Sequence, residues 1–436
     1  MIRRLNTNDA NFAVDLDQLL ALPEASPAEI RSQVSDILAG VKQQGDSEVL
    51  ALTNRFDGLD ATSVADLELS KEQMAAALDR VDPLVVEALK ESIARVRHYH
   101  EQQLAATGGS GEWHYTDEEG NRLGQIVRGM ERVGVYAPGG KACYPSTIIM
   151  TVVPAKVAGV AEVILTVPTP RNEISDVLLA AAYLCGVDRM FRIGGAQAIA
   201  AMAFGTETVP RVDKIVGPGN IYVATAKEMV FGQVGIDMIA GPSEVVIVAD
   251  DEADVDWLVM DMFAQAEHDE MAQSILISTS EALLEAVAKR LPVMLAEMQR
   301  KTIIEQAIND RGALILASDI EAAQVVVNRI APEHLELALS DAESFVPGVR
   351  HAGAIFVGSA TAEVVGDYTA GPSHVLPTSG TARFASPLGV YDFQVRSSLV
   401  QCSRAGSVKL SRAAAILADQ EGLEAHSKSA QYRTQG

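Results

Sequence analysis

Short runs of apolar, mostly β-branched residues alternate with longer helical stretches through the middle of the chain. The runs upstream of residue 240 cover residues 133–136, 163–167, 190–193 and 214–216, and those downstream cover residues 245–248, 274–278, 313–316 and 354–357. The stretches with helical character include residues 176–184, 221–230, 255–266 and 282–299. Strands that alternate with helices predict parallel sheets built from βαβ units. Short apolar strands without polar alternation indicate that both faces of these sheets are covered. We therefore predict an α/β fold with two Rossmann-like parallel-sheet lobes.

The two predicted lobes meet near Ile239-Ala-Gly-Pro-Ser243, where glycine and proline interrupt the pattern. Upstream, residues from about 27 to 107 have a mostly helical pattern, and Ser70-Lys-Glu-Gln73 is typical of a capping box that opens a helix. Downstream of about residue 390 the chain is polar and helical to its end. This tail lacks the apolar strand runs of a separate core, so we expect it to pack on another surface.

The composition is that of an ordinary globular protein, and the charge narrows the range of partners. The 436 residues are 48% apolar and 21% charged, and the length suggests two or three domains. A net charge of −23 argues against a nucleic-acid or acidic-membrane partner, because phosphate surfaces need a basic footprint. No signal peptide or membrane-spanning run is evident. The scattered cysteines Cys143, Cys185 and Cys402 indicate free thiols and a cytoplasmic location.

Glycine-rich turns follow three of the predicted strands. Gly194-Gly-Ala-Gln197 and Gly217-Pro-Gly-Asn220 each precede a helix, and Tyr136-Ala-Pro-Gly-Gly140 follows another strand. Such turns offer backbone N–H groups and a positive helix end to a phosphate. Neither of the first two is the complete Gly-x-Gly-x-x-Gly fingerprint, and any parallel α/β domain has glycines at such turns. A dinucleotide site and a purely structural role therefore both stay open on this pattern.

One candidate metal site lies at the end of a predicted helix, in Gln265-Ala-Glu-His268. Residues three and four positions apart share a helix face, so Asp261, Gln265 and His268 align. A glutamine oxygen and a histidine nitrogen one turn apart can share a metal ion. The alternative is a polar helix end, with His268 stabilised by the helix dipole.

Candidate proton-transfer groups occur further along the chain. Pro332-Glu-His-Leu335 is typical of a helix start, where the helix terminus would keep His334 neutral beside Glu333. An ordinary surface helix start is the alternative. Asp367 lies in a predicted loop, and polar loop residues beside a scaffold are often functional, although turn-forming aspartates are common. His426 lies in the helical tail, where an exposed position is the simplest expectation.

Taken together and in this order, these segments strongly resemble the histidinol dehydrogenase family. The matching segments are Val133-Gly-Val-Tyr-Ala-Pro-Gly-Gly140, Gly194-Gly-Ala-Gln-Ala-Ile-Ala-Ala201, Val216-Gly-Pro-Gly-Asn220, Ala240-Gly-Pro-Ser-Glu244, Gln265-Ala-Glu-His268, Pro332-Glu-His-Leu-Glu336, Gly366-Asp-Tyr368, His374-Val-Leu-Pro-Thr378 and Glu421-Gly-Leu-Glu-Ala-His426. No single segment is decisive, but their common order over nearly the whole chain is highly specific. The resemblance implies that L-histidinol is oxidised through an aldehyde to L-histidine by NAD⁺, the last step of histidine biosynthesis.

The resemblance also implies the residues of the site. It implies a zinc ion bound by Gln265, His268, Asp367 and His426, a nitrogen and oxygen ligand set that Zn²⁺ accepts. It implies His334 as the base for the alcohol proton and Glu333 as the group that activates water for the second oxidation. The implied substrate contacts are Ser243, Glu421 and His334 together with the four zinc ligands, and the implied NAD contacts are Tyr136, Gln197 and Asn220.

His426 lies far along a tail without a core of its own, and the resemblance accounts for this by homodimerisation with active sites shared between the subunits. We accordingly divide the chain into four parts. Residues 1–30 form an N-terminal extension, and residues 31–132 together with 242–388 form a first α/β lobe with the metal and catalytic residues. Residues 133–241 form a second α/β lobe with the NAD contacts, and residues 389–436 form a helical tail that packs on the partner subunit.

Two segments depart from the family pattern: Val395 replaces a common lysine, and Gly371-Pro-Ser373 replaces a common Gly-x-Asn. Some relatives oxidise other alcohols, and the presence of both Glu421 and His426 favours histidinol over these. A zinc-dependent hydrolase is a second alternative, but it would leave the implied NAD contacts without a purpose. A third alternative is a metal- or ligand-binding protein without catalytic activity.

Overall fold

A computed structural model describes residues 2–21, 28–109, 111–139 and 144–435. In chain order, its strands are β1 (Arg3–Asn6), β2 (Glu68–Leu69), β3 (Gly111–Thr116), β4 (Arg122–Gly129), β5 (Arg132–Tyr136), β6 (Glu162–Thr166), β7 (Arg189–Phe191), β8 (Lys214–Val216), β9 (Gly235–Ile236), β10 (Glu244–Ala249), β11 (Gln273–Ser278), β12 (Ala313–Leu316), β13 (His334–Ala338), β14 (Ala354–Val357) and β15 (Gln394–Gln401). Its helices are α1 (Phe12–Leu20), α2 (Ala28–Gln44), α3 (Asp46–Asp57), α4 (Lys71–Ala76), α5 (Pro83–Ala106), α6 (Pro145–Val157), α7 (Asp176–Cys185), α8 (Gly195–Phe204), α9 (Ile221–Val230), α10 (Val255–Ala266), α11 (Glu281–Leu295), α12 (Lys301–Arg311), α13 (Ile320–Ile330), α14 (Ala342–Phe345), α15 (Glu363–Tyr368), α16 (Arg404–Gln420) and α17 (Glu424–Thr434). Each of the eight apolar runs predicted as strands overlaps an observed strand.

Two six-stranded sheets organise the chain, and they share the same topology. The upstream sheet has the order β2–β7–β6–β5–β8–β9, and the downstream sheet has the order β1–β12–β11–β10–β13–β14. Their neighbouring strands are parallel, apart from the antiparallel pair β2 and β7. In both sheets the strand order reverses once, between β5 and β8 and between β10 and β13. The predicted α/β fold with two parallel-sheet lobes is confirmed.

Helices cover both faces of each sheet, which accounts for the short unbroken apolar strands. On β5, Val133 and Val135 face a core built with α4 to α7, whereas Tyr136 faces a core built with α2, α3, α8 and α9. All six residues of β10 are buried. Complete burial of a valine or leucine side chain contributes roughly 1.5–3 kcal/mol relative to exposure, so the apolar runs hold the strands between the helical layers.

The first third of the chain packs differently from the predicted division into lobes. We assigned residues 31–132 to the lobe of residues 242–388, but α2 and α3 pack on α8, and α4 and α5 pack on α7. Conversely, β1 and α1, which we assigned to an extension, belong to the downstream sheet and its core. The helical pattern of these segments specifies an apolar face without specifying which sheet covers it.

Residues 332–338 form a strand and its lead-in instead of the predicted helix start. Helix α13 ends before Ala331, whose φ of +52° is that of a left-handed C-cap. Pro332 follows this cap, a position where proline is common because it cannot continue the helix. Leu335 and Leu337 then alternate into the core as part of β13, between β10 and β14. The two-residue period of these leucines is the strand signal that the proline obscures.

The tail contains a strand in addition to its predicted helices. Strand β15 pairs antiparallel with β4, which also pairs with β3, and together they form a separate three-stranded sheet. Its residues are mostly exposed, so the sequence lacks the apolar run by which we identified the other strands. Beyond β15, α16 and α17 pack against each other. In the part of the chain that the structure describes, no helix has the length and apolarity required to cross a bilayer.

Candidate active site

The candidate active site lies at the amino-terminal edge of the downstream sheet. Glu244 opens β10 and His334 opens the neighbouring β13, with Val245 paired to His334. Helix α10 runs back toward this edge and carries Gln265 in its last turn. Asp367 lies in the six-residue helix α15, so its predicted loop position is wrong. The parallel topology therefore gathers side chains from residues about 120 positions apart.

His334 is held in one tautomer with a free nitrogen. Its Nδ1 lies 3.1 Å from the backbone oxygen of Glu244 and 3.4 Å from Glu363 Oε1. The backbone oxygen can only accept, so the proton belongs on Nδ1, and Nε2 keeps its lone pair. The buried Nε2 has no hydrogen-bond partner among the described residues, and Asp367 Oδ1 lies 3.8 Å away.

Burial keeps this imidazole neutral. It lowers the pKa of His334 to about 3, because the charged ring would be desolvated. The neutral state agrees with the sequence-based interpretation, but the predicted cause, a helix terminus, is wrong because His334 begins a strand. Glu333 precedes it and is also buried, with its Oε2 3.8 Å from His334 Nδ1.

Two buried carboxyl groups, Glu333 and Glu363, and the partly buried Asp367 surround His334. Burial raises the pKa of Asp367 to about 7, and burial together with acidic neighbours raises the pKa of Glu333 and Glu363 well above their usual values. Within the described residues, the ion pairs of these three carboxyl groups involve only histidines. Buried acids without a cationic partner are costly as anions, so a bound cation would be strongly favoured here.

Gln265 and His268 come together as the helical spacing predicts. Their side chains lie 3.2 Å apart, and Gln265 is fully buried. The amide orientation that satisfies both neighbours has the Gln265 oxygen accepting from His268 Nδ1, while its nitrogen donates to Glu363 Oε1 at 2.7 Å. Burial lowers the pKa of His268. His268 Nε2 is thus the ring nitrogen left for another ligand.

Among the histidine, cysteine, aspartate and glutamate side chains of the described residues, His334, Glu363 and Asp367 form a group that could hold a metal ion. One potential ligand atom from each lies within 4.8 Å of the others. Glu363 is absent from the sequence-based site, because nothing in its local sequence distinguishes it from a helix-start acid. His374 is a second omission: burial lowers its pKa to about 4, and its Nδ1 lies 3.9 Å from Asp367 Oδ1. His374 does lie in a family-like segment, which is a signal that could have identified it.

The three implied NAD contacts lie at the carboxyl edge of the upstream sheet. Tyr136 ends β5, Gln197 lies in the first turn of α8, and Asn220 caps α9 just after β8. The Tyr136 hydroxyl accepts a hydrogen bond from Gly195 N at 3.2 Å. Because β5 and β8 flank the reversal of strand order, these residues line the crevice where open α/β sheets bind ligands. Gln197 Oε1 is buried here without a partner among the described residues.

The remaining predicted residues have different outcomes. Ser243 precedes Glu244, beside the site, and its backbone oxygen accepts from Gln273 N at 2.9 Å. Glu421 and His426 are exposed on the tail, and within the described chain no hydrogen bond or ion pair joins them to the cluster. Cys143, one of the three cysteines predicted to be free thiols, lies outside the described residues.

Fold and site together define a class: a two-lobed α/β protein with a ligand crevice at a strand-order reversal and a buried acid–imidazole cluster able to hold a metal ion. A sequence profile described as histidinol dehydrogenase matches residues 21–434. The chain therefore belongs to the histidinol dehydrogenase family.

Individual relatives agree with this assignment. Histidinol dehydrogenase of Pseudomonas aeruginosa is 57% identical over 432 residues, covering 99% of this chain and 97% of the relative. Histidinol dehydrogenase of Methylococcus capsulatus is 54% identical, covering 99% and 98%. The crystal structure of histidinol dehydrogenase from Elizabethkingia anophelis superposes with a TM-score of 0.92 at 30% identity, covering 100% of this chain and 98% of that one.

Proposed function

We propose that this protein oxidises L-histidinol to L-histidine with NAD⁺ and zinc, as the last step of histidine biosynthesis in the cytoplasm. The observation that carries the proposal is the buried, neutral His334, whose Nε2 has no hydrogen-bond partner among the described residues and lies 3.8 Å from Asp367 Oδ1. Oxidation of an alcohol requires a base for the hydroxyl proton and an acceptor for the hydride. The site supplies the base, and the crevice of the upstream sheet can bind the acceptor.

His334 acts as the base in the first half of the reaction. Its Nε2 accepts the hydroxyl proton while Nδ1–H stays bonded to the Glu244 carbonyl. The alcohol carbon loses a hydride, so the product of this half is the aldehyde, and one proton is released per alcohol oxidised. The lowered pKa of His334 means that the ring is neutral at neutral pH, so its Nε2 lone pair is not already protonated.

Glu333 serves the second half of the reaction. The aldehyde must add water before a second hydride can leave, and Glu333 in its ionised form can take a proton from that water. Burial raises the pKa of Glu333, which makes the ionised carboxylate a stronger base. Glu333 adjoins His334 and is held by backbone contacts, which keep both groups beside the same substrate carbon. The two halves together transfer four electrons and yield the carboxylic acid.

Residues of this chain fit a zinc ion. Gln265, His268 and Asp367 offer one amide oxygen, one imidazole nitrogen and one carboxylate oxygen, which suit Zn²⁺. The carboxyl groups around Asp367 have only histidines as ion-pair partners in the described chain, which favours a bound cation. When bound, zinc would orient the imidazole and amino nitrogens of histidinol and polarise its oxygen. His426 of the partner subunit would complete the ligand set.

Tyr136, Gln197 and Asn220 fit the nicotinamide cofactor. They converge at the reversal of strand order, and the unpartnered Gln197 Oε1 is an acceptor that a ligand hydroxyl or amide could satisfy. NAD⁺ bound there would accept the hydride in each half. Asn220 Oδ1 already caps α9, with Tyr222 N at 3.1 Å and Val223 N at 3.2 Å, so its amide nitrogen is the group left for the cofactor.

Homodimerisation would bring the tail to the site of a second subunit. Leu410, Ile416 and Leu417 are exposed on α16. Val364 and Val365 are exposed on α15 next to Asp367, beside the edge strand β14. Exposed apolar patches of this kind indicate an interface. Pairing the tail of one subunit with the α15 edge of the other would bury both patches and bring Glu421 and His426 to the substrate.

Incubation of the zinc-loaded protein with L-histidinol and NAD⁺ tests the proposal. We expect NADH absorbance to rise, with two NADH formed per histidinol consumed. His334→Gln should lower kcat by roughly 10²–10⁴-fold while zinc stays bound, because a general base contributes about that much. His98→Gln, an exposed histidine on α5, is the matched control and should retain wild-type turnover.

The alternatives give different results in the same assay. If the protein were a family dehydrogenase for another primary alcohol, it would reduce NAD⁺ with that alcohol and leave histidinol unchanged. A zinc-dependent hydrolase would cleave esters or amides without NAD⁺, and a binding protein would bind zinc and histidinol without turnover. Absence of NADH formation with histidinol and zinc would reject the proposed reaction.

A further inference from the structure

Glu244 contacts both proposed catalytic residues. Its backbone N–H donates to Glu333 Oε2 at 3.0 Å, and its carboxylate Oε1 accepts from the Glu333 N–H at 3.2 Å. Its backbone oxygen accepts from His334 Nδ1 at 3.1 Å. One residue therefore fixes the Glu333 side chain, the Glu333 backbone and the tautomer of His334.

The same carboxylate also fixes a loop next to the site. Glu244 Oε1 accepts from Ser379 N at 2.9 Å, and the backbone N–H of Gly380 also faces the carboxylate. Ser379 has a φ of +57°, which a serine rarely adopts without such support. Glu244 is buried, and these contacts border a cavity that Ser379 and Gly380 also line. Glu244 itself does not face the proposed metal ligands in any of these contacts.

We propose that Glu244 is a positioning residue that sets the orientation of Glu333 and His334 for both halves of the reaction. This proposal rests on the proposed function of those two residues. The sheet ladder already pairs β10 with β13, so the carboxylate is not needed for strand pairing. Its specific contacts are with the N–H of Glu333, just before β13 begins, and with the N–H of Ser379. The carbonyl oxygen of Glu333 is bonded separately, by Ala354 N at 2.8 Å, so the Glu244 carboxylate fixes the other side of this peptide segment.

Glu244→Gln retains the size of the side chain but changes its hydrogen bonding. The backbone N–H groups of Glu333 and Ser379 both donate to Oε1, and the N–H of Gly380 also faces the carboxylate. An amide keeps one accepting oxygen, replaces the other with an N–H₂ donor and carries no negative charge. Hydrogen bonds to a neutral acceptor are weaker than those to a carboxylate, so Glu244→Gln should hold the lead-in to β13 less firmly. A displacement of about 1 Å in catalytic groups can lower the rate about 100-fold.

A matched control lies at the other end of the same strand. Asp250 follows β10, and its Oδ2 accepts from Ser340 N and Ser340 Oγ, both at 2.6 Å, just beyond the end of β13. Asp250→Asn thus perturbs the same kind of carboxylate–backbone contact between the same two strands, away from the site. It should lower the melting temperature without lowering kcat.

The experiment compares zinc-loaded wild type, Glu244→Gln and Asp250→Asn. We expect Glu244→Gln to lower kcat with histidinol and with histidinaldehyde by about 10- to 100-fold, with KM for NAD⁺ and zinc content near wild-type values. In a Glu333→Gln background, Glu244→Gln should cause no further loss with histidinaldehyde, because both changes act through Glu333. Glu244→Asp, which keeps the charge but is one methylene shorter, provides a second variant if the glutamine variant does not fold.

Three results would overturn the positioning role: an unchanged kcat in Glu244→Gln, an equal loss of kcat in Asp250→Asn, or additive losses in the Glu333→Gln background. Failure of the proposed function is distinguishable from these, since the wild-type protein would then produce no NADH from histidinol. A loss of zinc from Glu244→Gln would also contradict the proposal, because the residue would then act on the metal site.

Discussion

A buried ion pair holds the glycine turn of the upstream crevice. Lys227 Nζ donates to Asp237 Oδ1 and, at 2.9 Å, to the backbone oxygen of Gly217. Asp237 Oδ2 accepts from Gly217 N at 2.7 Å. The side chains of Lys227 and Asp237 are only 4% and 1% exposed. The pair therefore binds both backbone groups of the residue that begins the turn leading to Asn220.

Asp237→Asn leaves the Lys227 ammonium buried without a counter-charge. Removal of one partner of such a pair costs about 3–5 kcal/mol. For a lobe of this size, 1 kcal/mol corresponds to about 2–4 °C, so we expect the melting temperature to fall by roughly 6–20 °C. Lys227→Met should cost less, because the Asp237 carboxylate keeps its hydrogen bonds from Gly217 N and Met238 N, both at 2.7 Å.

The assay combines thermal unfolding with steady-state kinetics at a fixed zinc concentration. The double variant Lys227→Met with Asp237→Asn should lose less free energy of unfolding than the two single variants lose in sum. The difference, which is the coupling energy of the pair, should be about 1–3 kcal/mol. Because Gly217 loses its anchors, KM for NAD⁺ should rise more than KM for histidinol. Asp256→Asn breaks the exposed pair with Arg290 and is the control, with an expected loss below about 1 kcal/mol.

Two outcomes would refute this reasoning. If Asp237→Asn and Asp256→Asn were equally mild, the buried position of the pair would have no energetic consequence. If the single losses were additive, the two side chains would stabilise the turn independently.

Two further predictions concern stability and the shared site. Burial lowers the pKa of His100, whose Nδ1 lies 2.7 Å from the Val96 oxygen, so the unfolded chain binds its proton more readily than the folded chain. The contribution of this residue to the free energy of unfolding should therefore be retained above the unfolded pKa of about 6.5 and fall below it, by at most about 1.4 kcal/mol per pH unit. Urea unfolding at pH 8 and pH 5.5 should show a weaker pH dependence of stability for His100→Gln than for wild type. An equal pH dependence would contradict the assignment. His268→Ala and His426→Ala should each lose zinc, measured by elemental analysis, and turnover, measured by NADH formation. If the dimer shares its sites, a refolded mixture of the two variants should recover roughly one quarter of wild-type activity. No recovery would contradict a shared site.

The sequence by itself determined the strands of both lobes and the local geometry of several site residues. The eight apolar runs became strands because burial between helical layers requires continuous apolar residues. The spacing of Gln265 and His268 brought their side chains together because residues three apart share a helix face. The turn at Gly217 was equally visible, since it stands between a strand and a helix.

Sequence patterns misplaced the residues whose roles depend on distant contacts. Pro332 suggested a helix start, although its neighbour Ala331 ends a helix in a left-handed conformation. The neutral state of His334 was correctly inferred, but its cause is burial, which depends on how the sheets and helices enclose it.

Only the tertiary structure decided which helices cover which sheet and which acids surround His334. An apolar helix face fits either lobe equally well, so the packing of α2 to α5 on the upstream sheet could not be inferred from their period. Glu363 has an ordinary local sequence, and Glu244 ends a family-like segment that did not indicate its contacts. Both residues contact His334 only because β10 and β13 are adjacent and α15 folds back on them. Local patterns report on residues within a few turns of the chain, whereas burial and electrostatic environment are properties of the assembled layers.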